Sequence, residues 1–164
     1  MLITENLPRS EAMRTLLRKT IAENPYCKYK PYPKQLKPII IANQEEQYDE
    51  MDGTKKPNTV LAGAGGYGGK TYLGSMLTVQ YLPFDEDYTP LVTRRNYAEL
   101  LDTNSIWDNL LDWCCGEHLS EDFRCEAKRS PTPQIIAPNG NTIYFKAFDR
   151  DEKKQKFKSA SYDR

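Results

Sequence analysis

The feature that most constrains this chain is a glycine loop placed between two apolar segments. Residues 59–82 read TVLAGAGGYGGKTYLGSMLTVQYL, and five of the eleven residues from Leu61 to Thr71 are glycine. The apolar run before the loop reads as a strand. After it, Leu73, Met76, Leu77 and Leu82 fall on one helical stripe, joined by Tyr81. A strand, a tight glycine loop and a helix in that order form a phosphate cradle. The backbone must curl so that successive N–H groups face one point, through dihedrals that a β-carbon forbids. The segment Ala64-Gly65-Gly66-Tyr67-Gly68-Gly69-Lys70-Thr71 fits the phosphate-loop pattern with Ala in place of its first glycine. In such a loop Lys70 bridges the β- and γ-phosphates of ATP, the Thr71 hydroxyl ligates Mg²⁺, and the helix N-terminus adds its positive dipole. The alternative is a glycine-rich turn with no ligand.

The flanking segments extend this pattern. Apolar residues at Met13, Leu16, Leu17 and Ile21, behind Ser10 as N-cap and ahead of Pro25, predict a helix over 10–23. Pro31, Pro33 and Pro38 enforce an extended entry to a helix starting at Pro33 or Pro38. Residues 44–58 are acidic and polar and read as a solvated loop. A second strand is predicted around Leu91–Thr93, followed by helical sequence in YAELLDTNSIWDNLLDWCCG. Together with the loop and its helix this makes a βαβ unit and hence a parallel sheet. Two β-rich runs around Pro138-Asn139-Gly140-Asn141 predict a hairpin over 133–148. The charged residues beyond it read as a loop or tail.

Composition narrows the setting. The chain has 164 residues, enough for one domain, and its 23 basic and 23 acidic residues cancel. Any nucleic-acid contact must therefore come from a local cluster of cations. The run Lys146, Arg150, Lys153, Lys154, Lys156 and Lys158 is one, diluted by Asp149, Asp151 and Glu152. No apolar run approaches a membrane span and the N-terminus lacks a signal-peptide pattern, so a cytoplasmic protein with no membrane partner is expected. The four cysteines lack C-x-x-C spacing and His118 is the only histidine. A metal shared by Cys115, His118 and Cys125 would have no close ligand pair to anchor it.

A phosphate loop that hydrolyses ATP needs a second element, an apolar strand ending in an acid. The run TIYFKAFD ends at Asp149, but as a hairpin strand it is not the parallel strand that this chemistry uses. The expectation is that the acidic strand lies beyond Arg164, and that this chain binds ATP without efficient turnover.

In order, PYPKQ, the phosphate loop, LVTRRNYAELLDT and IIAPNGNTIYFKAF resemble the N-terminal ATPase region of the large terminase subunit, the DNA-packaging motor of tailed bacteriophages, over roughly residues 31–150. The resemblance implies a three-layer P-loop NTPase core of the ASCE type, with a parallel sheet plus a β-hairpin, incomplete at its C-terminus. Residues 1–30 would be a helical extension and 31–164 the first part of the ATPase domain. It further implies ATP and Mg²⁺ as cofactors, with double-stranded DNA, the portal protein and the small terminase subunit as partners of the full-length motor, and a homo-oligomer on assembly. Gln35 corresponds to an adenine-reading glutamine, its amide offering a donor and an acceptor together; the alternative is a helix-surface glutamine. Terminases often carry an Arg inside the loop. Here that place is taken by Gly65, Gly66, Tyr67 or Gly68, so Arg94, Arg95 or an Arg of a neighbouring subunit would supply the catalytic cation. Tyr67 would stack on a base or cover the loop. The rivals are a helicase-like P-loop motor, a small-molecule P-loop kinase, against which the lack of an Arg-rich lid counts, and a non-enzymatic interaction domain.

Overall fold

The computed structural model describes residues 18–42, 47–48, 55–56 and 69–147. The chain is mixed α/β, with a four-stranded sheet that carries both parallel and antiparallel pairs. The strand expected in the apolar run before the glycine loop and the loop from Ala64 to Gly68 lie outside the described residues.

The described part of the first predicted helix, Arg18–Ala22, is wound as a π-helix and stops short of Pro25. Its Ile21, together with Tyr26, enters the same core as the rest of the chain. Helix α1 (Pro33–Ala42) begins at Pro33, where the missing N–H is one of the groups a helix end leaves unused. It buries Gln35 and Ile39, one turn apart, and leaves Leu36 and Ile40 outward. Strands β1 (Gln47–Tyr48) and β2 (Lys55–Lys56) pair antiparallel, in a region read as a loop. Polar composition argued there against burial, and a ribbon held by main-chain hydrogen bonds needs none.

Helix α2 (Lys70–Val79) carries Leu73, Met76 and Val79 into the core. The predicted second strand is β3 (Leu91–Arg94). The long helical stretch after it divides into α3 (Tyr97–Leu101) and α4 (Ile106–Cys115). The break has a local cause. Asn104 takes a left-handed φ of 60°, and the Ser105 side chain caps α4 by accepting from the Asp108 N–H. Asn96 caps α3 in the same way through the Glu99 N–H. On α4, Trp107, Leu110, Trp113 and Cys114 form the buried stripe that meets α2.

The remaining strands are β4 (Glu126–Lys128), β5 (Gln134–Ile136) and β6 (Thr142–Ala147), and the sheet order is β3-β6-β5-β4. Strands β5 and β6 are the expected hairpin, turning through Gly140 at a φ of 94°. Strand β6 also pairs parallel with β3, Val92 beside Phe145. The expectation that a hairpin strand stands apart from the parallel sheet is therefore corrected: each strand has two edges, and β6 uses one for β5 and the other for β3. Strand β4 has no counterpart in the sequence reading. It is exposed throughout and carries Glu126 and Lys128, charges that suit a sheet edge by discouraging pairing with another chain.

Val92, Ile135, Ile143 and Phe145 line one face of the sheet, and the Trp107 ring stands edge-to-face on Phe145 at 4.7 Å and 83°. The Trp107 indole N–H is fully buried with no hydrogen-bond partner among the described residues. Each large side chain in this layer contributes about 1.5–3 kcal/mol by leaving water.

Candidate nucleotide site

The described end of the glycine-rich segment is a turn that leads straight into a helix. Gly69 has a left-handed φ of 69° and passes the chain directly to Lys70, the first residue of α2. Its carbonyl accepts from the Leu73 N–H at 3.0 Å, closing the first helical turn. Among the described residues no side chain caps this helix, and its first turn holds no acid. Helix geometry leaves the N–H groups of the first turn without intrahelical acceptors, and the helix dipole makes that end positive. Such an end receives an anion. Lys70 is exposed there, and Thr71 is half-buried with its hydroxyl free of any hydrogen bond among the described residues.

Gln35 is brought against this turn. It is only 5% exposed. Its Nε2 donates to the Gly69 carbonyl at 2.9 Å, and its Oε1 accepts from the Tyr32 N–H at 2.8 Å. The amide orientation follows from its neighbours, because a flipped carboxamide would set oxygen against oxygen and N–H against N–H. A β-carbon at position 69 would stand 2.9 Å from Gln35 Nε2. The left-handed dihedral favours glycine at 69, and a β-carbon there would push on the Gln35 carboxamide. An aromatic cluster holds the segment leading to Gln35. Tyr72 stacks on Trp113 at 6.0 Å and 20°, Tyr29 meets Tyr72 edge-on at 5.2 Å, and Lys28 Nζ pairs with Asp112 at 2.6 Å.

The other site residues are dispersed. Arg94 ends β3 and Arg95 follows it, both exposed, and neither guanidinium is hydrogen-bonded to Gly69, Lys70 or Thr71. Ala64, Gly65, Gly66, Tyr67 and Gly68 lie outside the described residues, as does Asp149. The strand leading toward Asp149 nonetheless runs parallel to β3, which removes the topological reason for setting that residue aside. Among the described residues no three His, Cys, Asp or Glu side chains are grouped to hold a metal.

Sequence reasoning missed the residues that hold the far end of α2. Asn24 Nδ2 donates to the carbonyls of Val79 at 2.8 Å and Gln80 at 3.1 Å, and its Oδ1 accepts from the Tyr26 N–H at 2.8 Å. Asn141 Nδ2 donates to Leu82 O at 2.8 Å and Asp85 O at 2.7 Å, while its Oδ1 accepts from the Tyr88 N–H at 2.9 Å. Asn139 Nδ2 adds a bond to Leu82 O at 2.9 Å. The hairpin turn therefore clasps the connection between α2 and β3. The only signal in the sequence was the Asn-Gly pair, which announces a turn and says nothing of its partner.

No helix among the described residues is long and apolar enough to cross a membrane. Comparison with protein-family models, with curated proteins and with solved structures finds no match for the chain.

Proposed function

We propose that this chain binds Mg–ATP through the Gly69-Lys70-Thr71 turn and is the nucleotide-binding part of a viral DNA-packaging ATPase of the large-terminase kind. One observation carries the nucleotide reading: a left-handed glycine delivers a lysine to the first position of an uncapped helix, at the end of a glycine-rich loop. A turn that merely reversed the chain would have no need of an uncapped, acid-free helix end. The packaging reading rests on the order of the sequence segments.

Isothermal titration with Mg–ATP tests the first step, comparing the parent with Lys70→Ala. The parent binds and the variant loses about ten- to a hundredfold in affinity, the cost of a charge-assisted contact. Equal affinity in the two proteins would remove the nucleotide reading. The second step is tested by Lys70-dependent, ATP-driven entry of double-stranded DNA into procapsids by the full-length motor.

A further inference from the structure

We infer that Gln35 acts on the phosphates rather than on the base: it is a positioning residue that latches the carbonyl of Gly69 and so holds the last peptide of the glycine loop in its cradle orientation. The inference rests on the nucleotide reading above and assigns one residue within it.

The geometry carries it in three steps. A carboxamide that reads adenine must present one N–H and one lone pair side by side to the base edge. In Gln35 the leading partner of each kind is already a main-chain group, the Gly69 carbonyl at 2.9 Å and the Tyr32 N–H at 2.8 Å. The side chain is also 5% exposed, so a base would have to open the packing around it to reach the remaining N–H and lone pair. Finally, the bond is made at the residue that joins the loop to the helix. At a φ of 69° and ψ of 18° Gly69 is the pivot between loop and helix, and its carbonyl already receives the Leu73 N–H. A second donor on that oxygen fixes the peptide plane. The N–H of Lys70 belongs to the same peptide unit as the Gly69 carbonyl, so holding the oxygen also aims the N–H the opposite way, out of the helix end toward an anion. Gln35 and Gly69 are 34 residues apart in sequence, so the latch also ties the entry segment at Tyr32 to the loop.

The two roles separate on a ligand without a base. Mg²⁺ complexes of ATP, GTP and inorganic tripolyphosphate are titrated into the parent, Gln35→Ala, Gln35→Glu and Gly69→Ala, with far-UV circular dichroism confirming the fold. Gln35→Glu keeps the acceptor for Tyr32 and places an oxygen against the Gly69 carbonyl. Gly69→Ala sets a β-carbon against the carboxamide and keeps Gln35 itself.

A latch predicts that Gln35→Ala weakens all three ligands by one common factor, about tenfold, and leaves the ratio of ATP to GTP affinity at the parent value. Gln35→Glu and Gly69→Ala should match or exceed it, and they decide the matter if Gln35→Ala fails to fold. The latch is overturned if the folded variants bind tripolyphosphate like the parent while losing the preference between ATP and GTP, the behaviour of a base reader. Parental affinity for all three ligands overturns it equally. A parent that binds none of the three overturns the nucleotide reading itself, a result visible before any variant is made.

Discussion

The two ends of α2 are held in opposite ways. At its C-terminal end the carbonyls of Val79, Gln80 and Leu82 are met by three asparagine carboxamides, those of Asn24, Asn139 and Asn141. Asn24 and Asn141 are buried there, at 5% and 3% exposure. Among the described residues the N-terminal end has a single carboxamide, that of Gln35, and it grips the carbonyl of the residue preceding the helix, while no side chain caps the first turn. Both arrangements use the same chemistry. The C-terminal carbonyls are met by side chains from elsewhere in the chain, whereas the first turn at the other end has no side-chain cap among the described residues. A phosphate site needs this asymmetry, because a helix that presents its dipole to a ligand must be anchored at the end the ligand does not touch.

The comparison can be broken at the anchored end first. Asn141→Ala removes three hydrogen bonds and strands the buried Tyr88 N–H, so a loss of about 2–4 kcal/mol is expected. Asn24→Ala should cost a similar amount for the same reason. Urea denaturation reads both. A loss near zero would mean that water satisfies these carbonyls and that the clasp is incidental. At the open end the pattern should reverse. Lys70→Ala is expected to leave the urea midpoint almost unchanged, since an exposed surface side chain is typically worth within ~0.5 kcal/mol. Its effect should fall on the affinity for Mg–ATP.

Alkali offers a smaller effect on the anchored side. Cys27 packs beside the π-helix, its Sγ 3.9 Å from the Thr20 carbonyl, and burial pushes its thiol from an ordinary 9.0 up to about 12. Burial likewise raises Cys115 to about 11. Above pH 9 the unfolded chain gives up thiol protons that the folded chain retains. The contribution of these thiols to stability is therefore full below about pH 9 and declines as pH rises toward 11 and 12. Urea midpoints measured between those limits should fall more steeply for the parent than for Cys27→Ala. The smallest effect belongs to Lys28, whose pairing with Asp112 raises its pKa at the surface. Lys28→Met should leave the thermal midpoint unmoved, and a clear drop would show that the aromatic cluster beside it depends on this pair.

Much of the local structure was legible. Leu73, Met76 and Leu77 announced α2, Pro33 was one of the two prolines that could start α1, and Asn139-Gly140 announced the turn between β5 and β6. The division between α3 and α4 was also written locally, in Asn104 and the capping Ser105, although apolar periodicity carries across it. Two features were hidden. Strand β4 has the charged, exposed pattern of a loop, because an edge strand is stabilised by its backbone ladder and not by an apolar face. The parallel pairing of β6 with β3 was masked by the hairpin signal, which names one neighbour and leaves the other edge open.

By itself, then, the sequence determined the turn. Glycine passes through the left-handed dihedral at position 69 at the least cost, and a lysine and a threonine at the start of a helix have a charge and a hydroxyl to offer wherever that helix lies. The tertiary structure alone decided what the carboxamides do. Asn24, Gln35 and Asn141 carry the same amide, and each reaches main-chain groups 34 to 59 residues away. An amide encodes a donor and an acceptor but no partner, so its role follows from the carbonyl that folding sets about 3 Å away.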